Sequence, residues 1–319
     1  MSAERNIALV FPGQGCQHVG MGAALYARYP EARVVYQEAD DAAGCALSRL
    51  CFEGPEAELN DTANTQPAIV ATSLALWAAL RPRLNGTADA VGFVAGHSLG
   101  EFSALAAAGA LSTADAIRLV RCRGLAMRQA GERHPGGMAA IIGLDDDAVR
   151  QLAAEACGDD GDCWVANYNS PGQVVIAGAA PALERAMALA RERQARRALP
   201  LAVSVACHTA YMHDAAEELN AALEDTSFRR PWAPVVSNVT ASALSEPREI
   251  KTALLQQLTS PVRWVEGVRY LAAEGVTAAL EIGPRAVVSG LMVRISDAIR
   301  TSSITDADTL EAFVGEVER

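Results

Sequence analysis

The chain has 319 residues, half of them apolar, which is enough for one large core or for two unequal ones. Its 27 basic and 38 acidic side chains leave a formal charge of −11, which argues against nonspecific nucleic-acid binding and for solubility. Seven cysteines without a C-x-x-C pair suggest neither a disulfide framework nor a zinc site, no apolar run approaches a membrane span, and the apolar stretch after Asn6 stops at Pro12-Gly13, too short for a signal-peptide core, so a cytoplasmic location is expected.

Short apolar strand candidates alternate with longer helical patterns from the start. A strand is expected over Ile7 to Phe11, helical stretches over Ala23 to Ala43 and Gln66 to Leu80, a buried strand over Ala90 to Ala95, and helix formers run from Phe102 to Ala108. Ser112, followed three residues later by Asp115, resembles a capping box opening a long helix through Ala114 to Ala130, on which Arg123 and Met127 share one face. Such alternation predicts a parallel sheet flanked by helices. Around His134-Pro135-Gly136-Gly137 the texture changes: strands over Met138 to Leu144, Trp164 to Asn169 and Val174 to Ala177, with helices over Asp146 to Cys157 and Pro181 to Arg193, read as a small α+β insertion. The basic cluster Arg191, Arg193, Arg196 and Arg197 reads as a solvated helix end. After Leu199 the first pattern resumes, with strands expected over Leu201 to Val205, Val235 to Val239 and Ala278 to Ile282.

Between the second strand and its helix lies Gly96-His97-Ser98-Leu99-Gly100, a G-x-S-x-G box. A serine on so tight a turn needs neighbours without side chains, and the reward is an exposed hydroxyl beside the unpaired N–H groups of a helix N-terminus. Arg123 is the second anomaly: a guanidinium in an otherwise apolar stretch of helix is costly to bury unless a carboxylate pairs with it.

Further segments join the box in order: Phe11-Pro12-Gly13-Gln14-Gly15, Asn64-Thr65-Gln66-Pro67, Arg121-Cys122-Arg123-Gly124, Asn167-Tyr168-Asn169-Ser170-Pro171-Gly172-Gln173, Ser204-Val205-Ala206-Cys207-His208-Thr209 and Gln257-Leu258-Thr259-Ser260-Pro261-Val262-Arg263-Trp264. In this order and spacing the chain resembles the malonyl-CoA:acyl carrier protein transacylases and the related acyltransferases of polyketide synthases, from about Ile7 to Ile295.

The resemblance implies an α/β fold, with an α/β-hydrolase-like large subdomain (residues 1–132 and 203–319), an inserted ferredoxin-like small subdomain (residues 133–202), and a site in the cleft between them. It implies Ser98 as nucleophile, His208 as base, the main-chain carbonyl of Gln257 orienting the imidazole, and the N–H groups of Leu99 and Gln14 as oxyanion donors. Arg123 matches the position that clamps the acyl carboxylate, His97 packs the turn, and Gln66, Met127, Asn167 and Cys207 line the cleft. The implied reaction moves malonyl, or a related carboxyacyl group, from coenzyme A to the phosphopantetheine thiol of an acyl carrier protein through an acyl-serine, in fatty-acid or polyketide synthesis. Malonyl-CoA is then substrate, with no bound cofactor and no metal expected, and an acidic carrier calls for a basic patch near the cleft mouth. The alternative is a thioester hydrolase that clears carrier proteins, against which the retained Arg123 argues. Cys207 stands where more familiar versions carry Phe or Ser, which leaves the extender unit open between malonyl and a slightly branched relative.

Overall fold

The computed structural model describes residues 6–84, 90–203 and 205–317. Ser204 and residues 1–5, read above for a motif and for targeting, lie outside them. Ten strands occur among the described residues: β1 (Ile7–Phe11), β2 (Val91–Gly96), β3 (Gly136–Ile142), β4 (Cys163–Ser170), β5 (Gln173–Ala179), β6 (Arg197–Pro200), β7 (Val235–Val236), β8 (Ala243–Leu244), β9 (Ala278–Ile282) and β10 (Arg300–Ile304).

Six of them form a sheet in the order β10-β9-β1-β2-β7-β8, parallel as far as β7, with β8 returning antiparallel. A parallel sheet is covered on both faces, which is why β1 reads as an unbroken apolar run. Leu9 and Phe11 join the cluster built on the helices on one face, and Ala8 and Val10 join Trp264, Val268 and Leu271 on the other. The helix Thr62–Leu80 is apolar on nearly all sides and buried along nearly its whole length, with the Asp61 side chain accepting from Ala63 N as its cap. Pro67 sits inside this helix and cannot donate to the carbonyl of Ala63; Arg121 of the neighbouring helix Thr113–Arg133 donates to that carbonyl instead, at 2.7 Å. No helix among the described residues is long and apolar enough to cross a membrane.

The other four strands form an antiparallel sheet in the order β4-β5-β3-β6. Its side chains alternate: Ala139, Ile141, Val174 and Ile176 pack beneath the helices Asp146–Glu155 and Ala180–Glu192, while Met138, Val175 and Ala177 face Ala206. Two backbone bonds, Tyr168 N to Val262 O at 2.9 Å and Val262 N to Ala166 O at 2.8 Å, stitch β4 to the segment following the helix Pro247–Gln257. The architecture is thus a large α/β unit carrying a small ferredoxin-like one.

Three expected elements differ. The helix over Ala23 to Ala43 is two helices, Ala23–Arg28 and Pro30–Ala43, because Pro30 excludes the helical conformation at Tyr29, which stands extended at φ −117° and ψ 115°. The described residues of the expected strand Leu201 to Val205 carry none; the strand is β6, four residues earlier, and it belongs to the small sheet as an edge, where the missing N–H of Pro200 is tolerated. Val235 to Val239 pairs only through Val236, since the chain then turns back, with Ser237 N donating to Ser242 O.

Candidate active site

Ser98 sits where β2 hands over to the helix Gly100–Ala107, in the left-handed region at φ 51°. A non-glycine residue there is strained, and the surrounding contacts over-determine it. A Cβ on Gly96 would lie 1.9 Å from the carbonyl carbon of Gly100, and one on Gly100 would lie 2.2 Å from Phe11 O. Both obstacles are backbone, so neither can swing aside. Gly100→Ala is expected to cost about 3 kcal/mol of unfolding free energy or more in urea titration; a loss below about 1 kcal/mol would show that the turn can relax. Asn238 braces the same turn, its Oδ1 accepting from Ser98 N at 2.6 Å and its Nδ2 donating to Gly96 O at 2.7 Å.

His208 reaches this serine from a second strained position, φ 61°, and is 4% exposed. Its Nδ1–H donates to the main-chain oxygen of Gln257 at 2.8 Å, which leaves Nε2 free to accept from the Ser98 hydroxyl, also at 2.8 Å. Burial, followed by the charge of Arg123, pushes the imidazole pKa down to about 3. The ring is therefore a neutral acceptor near pH 7, held in one tautomer by a carbonyl rather than a carboxylate.

Arg123 projects from the helix Thr113–Arg133 into the same space and is 2% exposed. It donates from Nη1 to Gln66 Oε1 at 2.8 Å, and from Nη2 to Gln257 Oε1 at 3.2 Å and Ser98 Oγ at 3.3 Å. Its Nε has no partner. No carboxylate touches this guanidinium among the described residues, and burial lowers its pKa to about 10, so it remains charged at neutral pH. A buried cation without a paired anion is costly by several kcal/mol. The site is thus built to receive an anion beside the Ser98 hydroxyl.

The other residues singled out in the sequence fall around this core. Gln66 also donates from Nε2 to Thr62 Oγ1 at 3.0 Å and to Met127 Sδ at 3.3 Å, which fixes its oxygen toward Arg123. Leu99 N and Gln14 N have no hydrogen-bond partner among the described residues, and the loop carrying Gln14 is pressed against the box, with His97 N donating to Phe11 O at 3.0 Å. Cys207 lies beside Arg123, but burial raises its thiol to about 11, which keeps it protonated. From the small sheet it is Asn169 that reaches the box, accepting at 2.7 Å in the pairing with His97 Nε2; Asn167 is buried and makes no side-chain hydrogen bond to the cluster. Among the described residues no group of three or more His, Cys, Asp or Glu side chains could hold a metal ion.

Three residues of the site were not singled out in the sequence, Asn169, Asn238 and Glu101. Glu101 follows the box directly, in the first turn of the helix Gly100–Ala107, where acids are favoured. It is 3% exposed, and its Oε2 accepts from Gln257 Nε2 at 2.7 Å and from Asn238 N at 3.2 Å. Asn238 lay inside the strand expected over Val235 to Val239, which gave it no signal as a site residue; the observed strand ends at Val236.

This geometry can be set beside known proteins. The acyl transferase domain family matches residues 8–312. The chain is 46% identical over 309 residues to the malonyl CoA-acyl carrier protein transacylase of Haemophilus influenzae, covering 97% of this chain and 98% of that one. To the protein of the same name from Bacillus subtilis strain 168 it is 43% identical over 308 residues, covering 97% and 96%. Among solved structures, the acyl-carrier-protein-S-malonyltransferase of Bartonella henselae superposes with a TM-score of 0.93 at 40% identity, covering 98% of this chain and 100% of that one. A malonyl-transacylase in complex with a type II PKS acyl-carrier protein superposes with a TM-score of 0.91 at 42% identity, covering 98% and 99%. With the matched domain spanning nearly all of its length, this chain belongs to the acyl transferase family, as a member of the malonyl-CoA:acyl carrier protein transacylases.

Proposed function

We propose that the protein transfers malonyl from coenzyme A to the phosphopantetheine thiol of an acyl carrier protein, by way of a malonyl ester on Ser98. The observation that carries this reading is Arg123: a buried, charged guanidinium with no carboxylate against it among the described residues, 3.3 Å from the Ser98 hydroxyl. An acyl group ending in a carboxylate satisfies that charge and is oriented by it through paired N–H bonds.

His208 Nε2 takes the Ser98 proton as the oxygen attacks the thioester carbonyl. The negative oxygen of the tetrahedral intermediate is received by the N–H groups of Leu99 and Gln14, and collapse expels coenzyme A, whose sulfur takes the proton back from His208. The carrier thiol then gives its proton to His208 and attacks the ester, which restores Ser98. The Gln257 carbonyl stabilises the imidazolium less than a carboxylate would, and a thiol substrate, more acidic than water, tolerates the weaker base. Gln66, Met127, Asn167 and Cys207 line the acyl pocket. The coenzyme A thioester is a substrate, and the reaction as written needs no metal or bound cofactor. The assignment includes a division at residues 133–202 for the small subdomain and a cytoplasmic location.

Labelled malonyl-CoA incubated with the protein and a phosphopantetheinylated carrier tests this: label is expected first on Ser98 and then, stably, on the carrier. Free malonate alone would identify a hydrolase, and absence of label from Ser98 would refute the reading. Acidity supplies a second check. A base whose pKa is lowered stays neutral, and so active, to lower pH. The acylation rate constant is therefore expected to show no loss from His208 between pH 8 and pH 5, measured by rapid quench in a Glu101→Gln background, where that buried acid no longer titrates; an inflection near the ordinary imidazole value of about 6.5 would contradict it.

A further inference from the structure

Glu101 is a buried acid that the reaction above does not use. It has no ion pair with any basic side chain among the described residues, although a buried carboxylate is expensive unless its bonds are well made. Its two bonds lead into the site. Gln257 Nε2 donates to Glu101 Oε2 at 2.7 Å and to Ser98 O at 3.1 Å, while Gln257 Oε1 accepts from Arg123 Nη2. One amide thus stands between a buried anion and a buried cation, and the main chain of the same residue holds His208.

We infer that Glu101 is a positioning residue for the acyl pocket, whose carboxylate fixes the orientation of the Gln257 amide and through it holds Arg123 in register for the acyl carboxylate. An ionised carboxylate only accepts, and a guanidinium only donates, so the amide between them has one satisfactory orientation. Turned over, its NH2 would face the guanidinium and its oxygen would face two acceptors. Glu101 acts through the oxygen that accepts from Gln257 Nε2, without occupying the N–H fork that the acyl carboxylate needs. The second bond, from Asn238 N, ties the same oxygen to the residue bracing Ser98, so clamp and nucleophile share one support. Burial raises the Glu101 carboxyl to about 7, opposed by the Gln257 and Asn238 bonds and by Arg123, so the test belongs at pH 8, where the group is ionised.

This inference rests on the malonyl reading. The measurement is the ratio of acyl-Ser98 formation rates from malonyl-CoA and acetyl-CoA, by rapid quench and intact mass, with melting temperatures alongside. Glu101→Asp keeps the charge but draws the oxygen back by one methylene; Glu101→Gln loses the charge but keeps an acceptor where Oε2 stands. Glu101→Asp is expected to lower the malonyl preference about tenfold or more, mostly through the malonyl rate, and Glu101→Gln to stay within about threefold of the parent. On a Gln257→Ala background, Glu101→Asp is expected to change the preference no further. The reverse order, equal loss in both variants, an unchanged preference in both, or an effect that adds to Gln257→Ala would each overturn the inference. A parent enzyme that accepts acetyl as readily as malonyl would instead sink the malonyl reading itself.

Discussion

Alanine at Ser98 or at His208 is expected to slow malonyl transfer by about 10⁴-fold or more, and the double variant to be no slower than either alone. The reason lies in the single 2.8 Å bond between them: each is useful only through the other, so the first substitution removes what the second would have removed. The two variants should still differ in one respect. Ser98→Ala has no atom to acylate and is expected to yield no labelled enzyme at any time. His208→Ala keeps the hydroxyl, on a turn whose backbone Asn238 braces, and is expected to acylate slowly, faster at high pH where hydroxide removes the proton. Rapid quench with labelled malonyl-CoA separates these outcomes. Losses that multiply in the double variant would mean that the pair does not act as one unit.

Much of this was legible in residue order, for physical reasons that differ along the chain. The box around Ser98 shows itself because a strained turn demands glycine on both sides, and the distances a Cβ would create at Gly96 and Gly100 state that demand in ångströms. Arg123 shows itself as a misfit, a cation on an apolar helix face. His208 and Gln257 have no such local mark; they lie 110 and 159 residues from Ser98, and only resemblance to a family brought them together before the fold did. Glu101 and Asn238 were missed because a polar residue beside a turn ordinarily meets water, and nothing local reveals that Gln257, at the end of the helix Pro247–Gln257, and the turn of Ser98 pair with them. The misread strand at Leu201 to Val205 has a related cause. Its described residues form no strand, while pairing is completed by Arg197–Pro200, whose exposed Arg197, Leu199 and Pro200 look unlike a strand core.

Arg123→Ala is expected to reduce kcat/KM for malonyl-CoA by about 10²–10³-fold, the equivalent of about 3–4 kcal/mol and within the range for removing one partner of a buried ion pair. The same change should raise the relative rate with acetyl-CoA, because the guanidinium no longer faces an uncharged acyl group. Three donated bonds vanish together, to Gln66, Gln257 and Ser98, so Arg123→Lys is expected to recover only part of the loss: an ammonium restores charge but not the planar fork. The acidity of His208 supplies an independent check on the same variant. Arg123 is one of the causes that hold the imidazole low, after burial. Without it the pKa rises toward the ordinary value, more of the base is protonated at a given acid pH, and the acid limb of the acylation profile should move to higher pH. A malonyl carboxylate that neutralises the guanidinium has the same sign of effect, so substrate itself makes His208 more basic at the moment it is needed. Malonyl transfer retained in full by Arg123→Ala, with an unmoved acid limb, would refute both the clamp and its coupling to the base.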